Sequence, residues 1–209
     1  MKIFLDFDGT LIDSRQRLYH LFQRLVPNSK LSFEEYWVLK RNGNSHELIF
    51  KRFFPTNDYE VFEQSWMQLI ETKEFLDFDF PFANVSGYLA NLKKDNNLYL
   101  VTSRQFIEGV LYQLKRFGWD MIFDDILVTK QKFRKENLVK SVLSLGEKGC
   151  MIGDTGKDIQ MAKNLGLFSV GVYSGFLSRE ILVNYQPDIL KSCITDFNLE
   201  ELKSVCILH

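Results

Sequence analysis

Short apolar runs that end in polar residues recur along the chain, with helical patterns filling the intervals. Ile3-Phe4-Leu5 ends at Asp6, Leu98-Tyr99-Leu100-Val101 at Thr102, and Ile126-Leu127-Val128 at Thr129-Lys130. Cys150-Met151-Ile152 ends at Gly153-Asp154, and a last run from Phe168 to Tyr173 ends at Ser174-Gly175. Strands separated by helix-length segments predict βαβ units and a parallel sheet covered by helices on both faces. Ligands of such sheets sit outside the carboxyl ends of the strands. The polar residues that close each run are therefore predicted to share one rim.

Residues 15–81 break this rhythm, with no buried strand and several helical patterns. Leu18, Leu21, Phe22 and Leu25 fall at helical spacing within Arg15 to Leu25. Ser32 and Glu35 form a capping-box pattern that opens a second helix through Trp37 and Leu39. Glu47 to Phe54 and Tyr59 to Phe75 predict two more helices, and clusters at Asn42-Gly43-Asn44 and Pro55-Thr56-Asn57 separate them. The pattern predicts a helical cap at 15–81 inserted into a core made of 1–14 and 82–209.

Composition narrows the function classes. The 209 residues suit one domain carrying an insertion, and 26 Lys+Arg against 27 Asp+Glu give a net charge of −1. Such neutrality offers no general attraction for nucleic acid or for an anionic membrane. Cys150, Cys193 and Cys206 lack CxxC spacing and read as reduced thiols, which fits a cytoplasmic protein. His20, His46 and His209 are too scattered for a zinc cluster, and His20 and His46 read as surface or packing residues of the cap. No apolar run reaches the ~18 residues of a membrane span. Asp6 interrupts the N-terminus before any signal-peptide core, so the Asn84-Val85-Ser86 sequon reads as a chance match.

The chemistry concentrates at two strand ends. Along the extended segment Asp6-Phe7-Asp8-Gly9-Thr10, Asp6 and Asp8 point the same way and Phe7 points into the core. Two carboxylates at this range repel unless a cation or a shared proton intervenes, and hard oxygen donors suit Mg²⁺. Gly153-Asp154-Thr155-Gly156-Lys157-Asp158 adds Asp154 opposite Asp6. Asp158 begins a helix running to Gly166, where a carboxylate favours the positive end of the dipole. Beyond that structural reason, the clustering of acids suggests an outer-shell role for Asp158 at the metal.

This series resembles the phosphatase branch of the haloacid dehalogenase-like superfamily, in family order and over almost the whole chain. The resemblance implies a Rossmann-like α/β core with a helical cap, and Mg²⁺-dependent hydrolysis of a small phosphate monoester. Phosphoglycolate-like acids and nucleotides are the leading substrates it implies. Asp6 would be the nucleophile, Asp8 the general acid and base, and Thr102 a hydrogen-bond donor to the phosphoryl group. The metal ligands would be Asp6, Asp154 and the backbone carbonyl of Asp8. The family lysine is expected at Lys135, whose Lys135-Glu136-Asn137-Leu138 run resembles the helix start of some relatives. Lys132 is the alternative. Ser103, Arg104 and Arg41 are candidates for substrate binding, although Arg41 in Lys40-Arg41-Asn42-Gly43-Asn44 equally suits a solvated helix end. The expected partner is a small phosphorylated metabolite, and the expected assembly is a monomer or homodimer. A sugar phosphomutase and a non-catalytic phosphate-binding or signalling module are the alternatives. A dehalogenase would not need Asp8.

Overall fold

The computed structural model describes residues 1–144, 146–198 and 200–201. Strand β1 (Lys2–Leu5) is followed by the two-residue strand β2 (Ile12–Asp13). Five helices come next: α1 (Arg15–Leu25), α2 (Phe33–Arg41), α3 (His46–Phe53), α4 (Tyr59–Leu69) and α5 (Lys73–Leu76). The chain re-enters through β3 (Phe80–Pro81) and alternates thereafter: α6 (Val85–Asp95), β4 (Asn97–Thr102), α7 (Ile107–Phe117), β5 (Asp125–Val128) and α8 (Lys135–Val142). It continues through β6 (Gly149–Gly153), α9 (Gly156–Asn164), β7 (Phe168–Val172), α10 (Arg179–Val183) and β8 (Ile189–Lys191).

Six of the strands form a parallel sheet in the order β5-β4-β1-β6-β7-β8. Alternation along β1 sends Ile3 and Leu5 to one face and Phe4 to the other. On the first face they meet Val85, Leu89 and Leu92 of α6 and Val110 and Leu114 of α7. On the second, Phe4 packs with Val139 of α8 and Met161 and Ala162 of α9. The sheet is thus a Rossmann-like layer covered on both faces, as the apolar runs predict. The register places Leu5 beside Leu100 and Ile152, so Asp6, Thr102 and Asp154 leave the sheet at one edge.

The helices between β2 and β3 bury a cluster of their own around Phe22, Tyr36, Trp37, Phe50, Phe62 and Trp66. The capping box is formed: Ser32 Oγ accepts from Glu35 N at 3.2 Å, and Ser32 N donates to Glu35 Oε2 at 2.8 Å. The helix expected over Tyr59 to Phe75 breaks in two. Thr72 is extended, its N–H turns back to the Leu69 carbonyl, and Glu71 beside it is drawn to the core. The expected core range runs to residue 209, but 202–209, with Cys206 and His209, lies outside the described residues. Among the described residues no helix is long and apolar enough to cross a membrane.

Candidate active site

Asp6 continues the path of β1 by one residue, its N–H donating to the Ile152 carbonyl at 2.9 Å. Phe7 then anchors the loop. Its side chain is fully buried, and its carbonyl accepts from Leu11 N and Ile12 N at 3.0 and 3.2 Å. Gly9 takes a φ of +83°, and a Cβ there would lie 2.2 Å from Asp154 Oδ2. From the other side, a Cβ on Gly175 would lie 2.0 Å from the same oxygen. Asp154 is therefore gripped between two backbone segments that only glycine can supply.

Three buried carboxylates meet at this rim. Asp6, Asp154 and Asp158 each offer an oxygen, all within 4.8 Å of one another. Lys135, the first residue of α8, donates through Nζ to Asp6 Oδ1 at 2.7 Å and to Asp158 Oδ1 at 2.8 Å. The other oxygen of Asp158 accepts from Thr155 Oγ1 at 2.5 Å and Thr155 N at 3.3 Å, closing the first turn of α9. Asp154 is held by Phe176 N at 2.6 Å and more loosely by Thr10 Oγ1 at 3.5 Å. Burial pushes the Asp6 carboxyl up to about 7, with Lys135 opposing and Asp158 and Asp8 reinforcing. Burial, and the nearby Asp6 and Asp158, raise Asp154 well above the usual carboxylate range. Although burial alone would lower Lys135, Asp158 and Asp6 lift it above its ordinary value.

One lysine against three buried acids leaves an excess of negative charge. Asp154 makes no ion pair within 4 Å among the described residues. An all-oxygen, carboxylate-rich set of this kind fits a hard divalent cation. The donors present thus fit the Mg²⁺ expected from sequence, and Asp158, whose oxygens are engaged by Lys135 and Thr155, lies beside the other two acids.

Asp8 faces a different environment. Arg104 forks onto it, with Nε to Oδ2 at 2.6 Å and Nη2 to Oδ1 at 2.8 Å, and Arg17 Nη2 donates to the same Oδ1. Burial pushes the Asp8 carboxyl up, but Arg104 and Arg17 outweigh it and hold Asp8 well below the usual range. Behind the pair, Asp79 accepts from Gln113 Nε2 at 2.7 Å and lies 3.2 Å from Arg17 Nε. Burial pushes Asp79 up to about 6 against the pull of Arg17. Arg104 was expected at the substrate, but most of its fork is engaged by Asp8, Asp79 and Gln113. Arg17, Asp79 and Gln113 carry no motif and escape sequence reasoning. Only the spacing of Arg17 beside apolar Leu18 and Leu21, placing a charge on a buried helix face, hints at an internal partner.

These residues border a cavity of about 1030 Å³ beneath the helical insert, lined by Asp6, Asp8, Thr102, Ser103 and Lys135 among others. Thr102 is buried and its Oγ1 accepts from Arg104 N at 3.4 Å, whereas Ser103 is exposed. Lys132 lies exposed on the cavity lining, and Lys135 is the lysine placed at Asp6. Arg41, also expected at the substrate, is absent from the lining. Its Nη2 donates to the Tyr173 carbonyl at 2.9 Å, so the end of α2 is tied to the loop after β7. His46 packs in the aromatic cluster of the insert, bonded to Tyr36 OH at 2.9 Å, and His20 stacks on Phe78.

Comparison with known proteins converges on one family. Pyrophosphatase PpaX of Listeria monocytogenes is 23% identical over 205 residues, covering 93% of this chain and 93% of that protein. A haloacid dehalogenase-like family hydrolase from Streptococcus pneumoniae shares the fold with a TM-score of 0.77 at 20% identity, over 100% of this chain and 98% of that one. A predicted phosphoglycolate phosphatase from Haemophilus somnus superposes with a TM-score of 0.73 at 20% identity, over 93% and 94% of the two chains. Residues 3–172 match the family model described as haloacid dehalogenase-like hydrolase. The chain belongs to the haloacid dehalogenase-like hydrolases.

Proposed function

We propose that the chain is a Mg²⁺-dependent phosphatase that transfers a phosphoryl group from a small phosphorylated compound to Asp6 and then to water. The observation that carries this reading is the contact of Lys135 with Asp6 at the carboxyl end of β1, within reach of Asp154 and Asp158. Lys135 occupies Oδ1 of Asp6, which leaves Oδ2 as the attacking atom. Bound through Asp6, Asp154 and the Asp8 carbonyl, with Asp158 close by, a divalent cation would screen phosphoryl charge from the nucleophile.

The remaining chemistry belongs to the side chains. Oδ2 of Asp6 forms a bond to phosphorus as the bond to the leaving oxygen breaks, and Asp8, carrying a proton, delivers it to that oxygen. Asp8 then takes a proton from the water that attacks phosphorus, freeing inorganic phosphate and restoring Asp6. Arg104 and Arg17 hold Asp8 ionised in this arrangement, so the proton it delivers in the first step is one it takes from the monoanionic phosphate ester as the substrate binds. The same pairing favours its return to the carboxylate for the second step. Thr102 and Lys135 stabilise charge on the transferring phosphoryl group. Residues 15–81 serve as the cap that closes over the site and excludes bulk water. Phosphoglycolate-like and nucleotide-like compounds remain the leading substrates, and the name of the Listeria relative adds pyrophosphate.

The test is release of inorganic phosphate from 2-phosphoglycolate, pyrophosphate and nucleoside monophosphates, with and without Mg²⁺. Turnover is expected on at least one of them, is expected to vanish in EDTA, and is expected to fall by about three orders of magnitude in Asp6→Asn. Undiminished turnover in Asp6→Asn would remove the basis of the mechanism.

A further inference from the structure

Helix α2 grips the segment after β7 at both of its ends. Arg41, the last residue of α2, donates through Nη2 to the Tyr173 carbonyl at 2.9 Å. Its own carbonyl accepts from Ser178 N at 3.1 Å, where α10 begins. Trp37 lies one turn earlier on the same face of α2, and its buried ring stands 5.7 Å from that of Phe176. Toward the core the same segment meets the acidic rim. Phe176 N donates to Asp154 Oδ2 at 2.6 Å, and Ser174 Oγ donates to the Gly9 carbonyl at 2.9 Å. Gly175, between them, has no room for a side chain against Asp154 and Gly9.

A carboxylate with one oxygen fixed by a backbone N–H presents the other in a set direction, and groups that orient a ligand in this way strengthen metal binding. Asp154 Oδ2 is fixed by Phe176, whereas Oδ1 has only the long contact with Thr10 Oγ1 at 3.5 Å. The contacts to the insert and the contacts to Asp154 thus share one short stretch of backbone. Any shift of that stretch with the insert carries the Phe176 N–H away from Asp154. We infer that docking of the insert and binding of a divalent cation are linked through residues 173–178, with Arg41 and Trp37 as positioning residues for Asp154. Such linkage is reciprocal. A docked insert tightens the cation site, and a cation on Asp154 strengthens docking by the same factor. The cation is then held most firmly while the insert covers the cavity, which is when phosphoryl charge needs screening. This rests on the cation part of the phosphatase reading and on no particular substrate.

The experiment is calorimetric titration of the whole chain with Mn²⁺, alongside amide exchange at Ser178 with and without saturating Mg²⁺. Arg41→Met and Trp37→Leu are each expected to bind Mn²⁺ about five- to tenfold more weakly, the lower range of coupling between sites. Arg24→Met removes an ion pair confined to the insert and is expected to bind Mn²⁺ like the wild type. In the wild type, Mg²⁺ is expected to slow exchange at Ser178, whose N–H meets the Arg41 carbonyl, by about five- to tenfold. A loss in only one of the two α2 variants assigns the positioning to that residue and supports the linkage. Unchanged affinity in both overturns it, as does an equal loss in Arg24→Met or Ser178 exchange indifferent to Mg²⁺. Should neither α2 variant fold, the effect of Mg²⁺ on Ser178 in the wild type decides. A wild type that binds no Mn²⁺ would sink the cation reading and the linkage with it, whereas binding indifferent to Arg41 and Trp37 would sink the linkage alone.

Discussion

A methyl group at Gly175 would stand 2.0 Å from Asp154 Oδ2 and 2.6 Å from the Gly9 Cα, so neither neighbour has room to yield. Gly175→Ala is expected to weaken divalent-cation binding by about ten- to a hundredfold, the range for groups that orient a ligand. Titration with Mn²⁺ checks this. Protons compete at the same site. With Asp6 pushed up to about 7, this carboxyl holds its proton below neutrality and must release it when a cation binds. Mg²⁺ affinity is therefore expected to rise with pH, by up to about tenfold per unit between 6 and 7. Calorimetry in two buffers of different ionisation enthalpy counts the proton released. At this scale the acids were legible because Asp6, Asp8, Asp154 and Asp158 fall within two short segments, each directly after an apolar run. Arg17, Asp79 and Gln113 were not legible. They meet Arg104 across separations of 87, 25 and 9 residues, which only the folded chain brings together.

The helical insert is held by aromatic packing, and His46 sits inside it, with its ring 4.3 Å from that of Trp66 and 5.2 Å from that of Phe62. Burial, with Lys40 nearby, holds His46 well below its ordinary pKa. The unfolded chain thus binds a proton on this residue that the folded chain refuses, so its contribution to stability is present above about pH 6.5 and lost as pH falls below it. Urea unfolding at pH 7.5 and 5.5 is expected to show a steeper loss for the wild type than for His46→Gln. The difference should approach about 1 kcal/mol over that interval. Among the elements, long periodic ones were the easiest to read. The helix of Arg15–Leu25 and the capping box at Ser32 follow directly from spacing. Strands β2 and β3, two residues each, are too short for any periodicity. The edge strand β8 is only half-buried, so it lacks the unbroken apolar run that marks its neighbours.

Across the whole molecule, the insert and the core meet on both sides of the cavity. On one side Arg41 reaches the Tyr173 carbonyl, and the ring of Trp37 lies 5.7 Å from that of Phe176. On the other, Glu71 accepts from Gln105 N at 2.7 Å and from Phe106 N at 3.1 Å, and Gln105 Nε2 donates to the Met67 carbonyl at 2.8 Å. Gln105 and Phe106 immediately precede α7, so a carboxylate from the insert satisfies donors at the start of a core helix. Losing such a cap costs about 1–2 kcal/mol. Because Glu71 belongs to the insert and its partners Gln105 and Phe106 to the core, that loss falls on the contact between the two parts and not on the sheet. Glu71→Ala is expected to speed amide exchange at Gln105 and Phe106 by about five- to thirtyfold. The amides of β1 and β6, which pair with each other in the middle of the sheet, should exchange as before. A bound phosphonate with Mg²⁺, by bridging insert and core, should return the first pair toward the wild-type rate. Equal acceleration at both places would mean that Glu71 supports the fold as a whole, and the closing contact would have to be sought at Arg41 and Trp37.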